Sequence, residues 1–214
     1  MNDWNIHKLM SGLASEHSIF HSEADFQHAL AWHIHTLDPG CRVRLEARFG
    51  IIAETRIGKN SFVDLWLPDS RIAVELKFAK DNFETNYEGE KHELRKGARD
   101  VTAYGFVRDI KRLEKLRNDG EIDTGFAVLL SNEPNIWTPP KRNRPAIFDA
   151  FRLHENQPPL AGQRNVAESA SAKIKKSHSP ITLRGSYPIS WRTYYNHEGK
   201  GRGLFCYLAV EVGA

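Results

Sequence analysis

Three ionisable side chains stand where ionisable groups are least expected. Asp64 lies in the apolar segment Ser61–Leu67, and Glu75 and Lys77 lie in Ile72–Phe78. The four residues between the segments, Pro68, Asp69, Ser70 and Arg71, have good turn chemistry and predict a hairpin. In a symmetric hairpin Leu67 meets Ile72 and Asp64 meets Glu75, with directly opposed Cβ atoms about 4.5–5.5 Å apart. Alternation along the strand puts Glu75 and Lys77 on one face and Val74, Leu76 and Phe78 on the other. Two opposed carboxylates destabilise a hairpin unless something neutralises them. A divalent cation meets that need, and Mg²⁺ requires only one or two protein carboxylates because it keeps several waters. Such an ion acidifies a bound water and holds a scissile phosphate. Lys77 is expected to orient or deprotonate that water, with a pKa lowered by partial burial and offset by the carboxylates.

The flanking elements have to position this group. Ser22 followed by Asp25 is a capping signal, and Phe26, Leu30, Ile34 and Leu37 form a helical apolar stripe that ends at Pro39-Gly40. From Cys41 to Phe49, Val43, Leu45 and Ala47 alternate with charged residues, as in a half-buried strand. Residues 88–117 are rich in helix formers, with a stripe at Ala103, Phe106, Val107, Ile110 and Leu113; Gly97 and Gly105 mark a kink or a close approach. Phe126–Leu130 has the continuous apolar run of a strand buried on both faces, and a helical crossover into it predicts parallel pairing with an earlier strand. Residues 157–180 read as a loop or linker, and Ile189–Tyr195 with Leu204–Val212 as a hairpin across Gly199, Gly201 and Gly203.

Phe62-Val63-Asp64-Leu65-Trp66, with Val74-Glu75-Leu76-Lys77 following, resembles the PD-(D/E)xK signature of restriction-endonuclease-like nucleases. The order helix, three strands, helix, strand over residues 22–132 resembles that family's α/β core. The chain then divides into an N-terminal segment (1–21), this core, and an extension (133–214) carrying the C-terminal β-hairpin. The resemblance implies Mg²⁺-dependent phosphodiester hydrolysis, with Mn²⁺ as a substitute. It implies metal ligation by Asp64, Glu75 and the Leu76 carbonyl, and a catalytic role for Lys77. Val63 replaces the name-giving proline. An acidic residue of the first helix often completes the metal shell in that family, and Glu23 is the matching position; Glu46 on the first strand competes with it. Asp100, Tyr104, Arg108 and Lys111 share one face of the long helix. Relatives often carry Gln and Tyr four apart there, so Tyr104 carries over and Asp100 departs from the pattern.

Composition agrees with a nucleic-acid partner without demanding one. Residues 134–214 hold 12 Lys/Arg against 5 Asp/Glu, and residues 1–133 hold 18 against 22. The basic third, interleaved with Tyr187, Trp191, Tyr194 and Tyr195, suits a phosphate backbone, with Tyr104, Arg108, Lys111, Lys173, Lys175 and Lys176 as the expected DNA contacts. No apolar run suggests a membrane span and the N-terminus lacks a leader pattern. Cys41 and Cys206 alone make neither a disulfide framework nor a four-cysteine zinc site, so a cytoplasmic setting is expected. Ten histidines include no His-Glu-x-x-His spacing, which argues against a zinc hydrolase. The expected function is a DNA endonuclease of restriction or phage type, and cutting both strands would favour a homodimer. The alternatives are an inactive binding module of the same fold, a junction resolvase or an exonuclease.

Overall fold

The computed structural model describes residues 4–49, 62–142, 144–197 and 202–213. Ser61, where a strand is expected to begin, and Gly199 and Gly201 of the expected turn lie outside the described residues. The fold is mixed α/β. Its elements in chain order are α1 (Ile6–Glu16), α2 (Glu23–Leu37), β1 (Arg44–Arg48), β2 (Phe62–Leu67), β3 (Ile72–Ala79), β4 (Phe83–Tyr87), β5 (Glu90–Leu94), α3 (Arg99–Asn118), β6 (Thr124–Ser131), α4 (Pro134–Trp137), β7 (Leu160–Arg164), α5 (Ala172–Ser177), β8 (Ile181–Tyr187), β9 (Trp191–Asn196) and β10 (Leu204–Val212). No helix among the described residues is long and apolar enough to cross a membrane.

Six strands form one sheet in the order β1-β2-β3-β6-β10-β9. The β2–β3 hairpin has the expected register, with Leu67 paired to Ile72 and Leu65 to Val74. β3 and β6 pair in parallel, Glu75 beside Ala127 and Lys77 beside Leu129, as a helical crossover requires. β10 runs antiparallel to both β6 and β9, so the expected C-terminal hairpin joins the central sheet.

Each face of the sheet buries its own core. Ile6, Leu9, Met10 and Leu13 of α1 and Phe26, Leu30 and Ile34 of α2 cover Leu65, Val74, Leu76, Val128 and Phe205. On the opposite face Phe106, Val107, Ile110 and Leu113 of α3 pack with Ala73, Ala127, Leu129 and Leu208. Ser22 caps α2, accepting from the Asp25 N–H at 3.1 Å. Leu37, expected on the buried stripe, is the last residue of α2 and stands 55 % exposed.

Two local expectations are corrected, and the N-terminal segment gains a helix. Residues 83–94 are a β-hairpin, not the start of the long helix, which begins at Arg99. Its turn places Glu88 at φ 52° and Gly89 at φ 83°, the two left-handed residues a tight hairpin of this twist demands. The stretch 157–180 carries β7, paired with β8, and α5. Residues 6–16 form a helix whose N-cap, Asn5, accepts from the His7 and Lys8 N–H groups.

Candidate active site

The site lies where β2 and β3 part. Their ladder ends at Leu65–Val74, and one residue further the backbone groups are satisfied by side chains instead. Asp64 Oδ2 accepts from the Leu76 N–H at 2.6 Å. Gln27 of α2 donates to the Asp64 carbonyl at 2.7 Å and to Glu46 Oε1 at 3.0 Å. Glu46, at φ 50°, interrupts the β1–β2 ladder between Leu45–Leu65 and Ala47–Val63. The bond from Leu76 leaves the second Asp64 oxygen able to take another partner.

Glu75 and Lys77 both turn toward α3, as alternation required, into a buried charge network. Glu75 is 1 % exposed and is held in a fork by Arg112, whose Nε donates to Oε1 at 2.6 Å while Nη2 meets Oε2. Lys77 Nζ lies 2.9 Å from Asp109, 2.8 Å from the Leu76 carbonyl and 3.8 Å from Glu23 Oε1. Asp109 is itself 1 % exposed, and Arg112 Nη2 lies 3.5 Å from it. Glu23 reaches the site from the first turn of α2, its Oε2 accepting from the Phe78 N–H at 2.8 Å. Gly105 opens room beside this network: a Cβ there would meet Lys77 Cε at 3.5 Å.

Four carboxylates (Glu23, Asp64, Glu75, Asp109) face two cations (Lys77, Arg112), leaving two negative charges in excess when all are ionised. Burial raises the Asp64 carboxyl from 3.8 to about 6, against the pull of Lys77 and the Leu76 N–H. Burial also pushes the Glu75 carboxyl upward, with Asp109 and Asp64 adding to it and Arg112 opposing. For Lys77, burial favours the neutral amine, but Asp109, Glu23 and Asp64 outweigh it and hold the pKa above the usual lysine value. This reverses the expected lowering: Lys77 is a permanent ammonium at physiological pH, able to orient a water or hold negative charge but not to take a proton. Its side chain is also largely enclosed, 19 % exposed.

The donors are carboxylate oxygens and a main-chain carbonyl, the hard oxygen set Mg²⁺ takes. Among the described residues the one trio of His, Cys, Asp or Glu with ligand atoms all within 4.8 Å is His21, Glu90 and His92. The acidic cluster therefore does not bring three carboxylates within that distance, and an ion held there would rely on one or two of them and keep several waters. The donor chemistry and the charge excess both fit a hydrated dication.

The expected nucleic-acid contacts divide into two groups. Tyr104 is buried against Phe151 and His178, its hydroxyl donating to the Ser179 carbonyl at 2.9 Å. Arg108 is half-buried, and Lys111 bonds Glu114 at 3.4 Å. Lys173, Lys175 and Lys176 belong to the short helix α5, with Lys175 donating to the Glu168 carbonyl at 2.6 Å, and none of the three is buried. His178 directly follows α5 and packs on Tyr104, so the three lysines are carried on the outer side of α3.

Sequence reasoning missed Asp109 and Arg112. Gly105, Asp109 and Arg112 fall at i, i+4 and i+7, one line along α3 beside its apolar stripe, and that spacing was the available signal. No family model, curated protein or solved structure matches this chain.

Proposed function

We propose that this protein is a divalent-cation-dependent nuclease that hydrolyses DNA phosphodiester bonds, with a restriction-endonuclease-like core built from α2, β1, β2, β3, α3 and β6. The observation that carries the reading is the excess of carboxylate charge, part-buried at Asp64 and exposed at Glu23, around Lys77 at the point where β2 and β3 part. Asp64, Glu75 and the Leu76 carbonyl would hold the ion, with Glu23 beside them. The bound dication would supply acidification of a water and neutralisation of charge on the phosphate. Asp64, anionic above about pH 6, contributes the unspent carboxylate oxygen. Lys77 remains protonated, donating to a water or to a non-bridging phosphate oxygen while Asp109 fixes its direction at 2.9 Å. The lysines of α5 would meet the phosphate backbone and set the register of the substrate.

A second reading, a binding module of the same fold without catalysis, is favoured by one feature. Arg112 and Lys77 already neutralise Glu75 and Asp109 by direct contact. Supercoiled plasmid separates the two. Nicking in Mg²⁺ or Mn²⁺ that stops with EDTA and with Asp64→Asn supports the nuclease. DNA binding that ignores metal and chelator, with no cleavage, supports the module.

A further inference from the structure

A second group of ligating side chains lies outside the acidic cluster, on the β4–β5 hairpin and the segment entering α2. Glu90 and His92 are two apart on β5, so both project from one face of the strand. His21 comes from the α1–α2 connection, where its N–H donates to Asp25 Oδ2 at 2.8 Å and fixes the backbone. The His21 and His92 rings stack with centroids 4.1 Å apart. Glu90 spans them, one oxygen 3.2 Å from His21 Nε2 and the other 3.8 Å from His92 Nε2. One ligand atom from each residue falls within 4.8 Å of the other two. The three residues have different accessibility. The His92 side chain is 6 % exposed, whereas Glu90 and His21 stand largely in solvent.

We propose that His21, Glu90 and His92 form a binding site for a zinc-class transition-metal ion, which staples the β4–β5 hairpin to the start of α2. Imidazole nitrogen suits zinc, nickel and copper rather than Mg²⁺, and two histidines with one carboxylate form a known three-ligand set that leaves a position for water. A surface cluster tied only by Glu90 accounts for less of what is seen. It holds the His92 ring, 6 % exposed, only loosely, since Glu90 stands 3.8 Å from Nε2, beyond hydrogen-bond reach. Coordination through Nε2, the nitrogen that faces Glu90, would engage that ring, whereas the buried Nδ1 has no hydrogen-bond partner in either case. The Zn–N and Zn–O bonds of about 2.0–2.2 Å require the ligand atoms to draw closer than they stand here. Rotation of the exposed His21 and Glu90 side chains supplies that movement, while His92 stays fixed by its burial. The site shares no residue with the acidic cluster. It lies beside it, since Glu23 is two residues beyond His21, and the Lys80 ammonium lies 3.5 Å from the His21 carbonyl. Occupancy would therefore hold the first turn of α2, and Glu23 with it, against the hairpin.

The test uses Co²⁺ as a spectroscopic stand-in and Zn²⁺ by calorimetry, on the full chain after chelator treatment. We expect one ion per chain, with visible Co²⁺ absorption bands that Zn²⁺ abolishes. His21→Ala and Glu90→Gln, both at exposed positions that the fold does not need, should each weaken affinity at least 10-fold. Asp64→Asn should leave it unchanged, which separates this site from the nuclease reading. Absence of Zn²⁺ binding in the parent overturns the proposal. So does binding that survives both His21→Ala and Glu90→Gln, or binding that Asp64→Asn abolishes.

Discussion

Replacing Asp64 by asparagine should stabilise the metal-free protein, and the gain should depend on pH. The Asp64 carboxyl is raised from 3.8 in the free chain to about 6 by burial, so at pH 7.5 folding keeps the group ionised at a greater cost than in the unfolded chain. At about 1.36 kcal/mol per pH unit, that difference costs roughly 3 kcal/mol as an upper bound. Asparagine keeps an oxygen for the Leu76 N–H and carries no charge to desolvate. Because the folded pKa lies above the unfolded one, the contribution of Asp64 is fully favourable below about 3.8 and is lost as pH rises through about 6. Asp64→Asn should therefore raise Tm by about 2–10 °C at pH 7.5, and the gain should vanish near pH 4. Mg²⁺ should act in the opposite sense. It should stabilise the parent by about 2.7 kcal/mol at 100 times its Kd, raising its Tm, and leave the variant unmoved. Differential scanning fluorimetry over pH 4–8, with and without Mg²⁺, reads both effects. A variant that is neutral or destabilised at pH 7.5 without metal, or a gain that does not change with pH, refutes the reasoning.

Other consequences are equally open to measurement. Lys77→Met should lower stability by up to about 3–5 kcal/mol in urea denaturation, because buried Asp109 loses its nearer cation and keeps only Arg112 at 3.5 Å, and adding Asp109→Asn should recover most of the loss; an additive double variant would deny the coupling. Gly125→Ala should cost about 1–3 kcal/mol, since the new Cβ would stand 2.9 Å from Leu113 Cδ2 and 3.0 Å from Leu113 Cβ; an unchanged urea midpoint would show that α3 yields freely. Neutralising Lys173, Lys175 and Lys176 together should flatten the salt dependence of duplex-DNA affinity by about 0.9 for each phosphate that the variant no longer neutralises, and an unchanged slope would move the binding surface elsewhere.

Legibility from sequence followed the strength of local signals. The β2–β3 register was readable because Pro68–Arg71 fixes a turn between two apolar runs, and one register then follows for Leu65, Trp66 and Leu67. The parallel β3–β6 pair was readable because a helix separates two buried strands. Residues 90–94 misled, because Glu90, Lys91 and Glu93 are helix formers and only His92 and Leu94 are buried, too short an alternation to outweigh composition. Their turn is Glu88-Gly89, not the Asn-Gly that announces such a hairpin. The α1 helix carried a full signal in Ile6, Leu9, Met10 and Leu13 that went unread. In the site, Asp64, Glu75 and Lys77 were found because charge inside an apolar strand is conspicuous. Asp109 and Arg112 were not, because charge on a helix ordinarily means solvent. The sign of the Lys77 shift was out of reach for the same reason: it depends on Asp109, a partner from a distant element. His21 and His92 share no local spacing at all, and only the hairpin's placement joins them.

The position of β10 governs the order in which the sheet can be finished. β6 is buried along nearly its whole length, and one of its two edges pairs with β10 from Gly125 to Ser131. That partner is made only after the intervening residues 132–203, a delay of several seconds at about 5–20 residues per second of synthesis. Through that interval an apolar strand, Phe126–Leu130, presents an open hydrogen-bonding edge to any other chain. A nascent chain of this protein is therefore most exposed to chaperone capture, or to self-association, after β6 has left the ribosome and before β10 has.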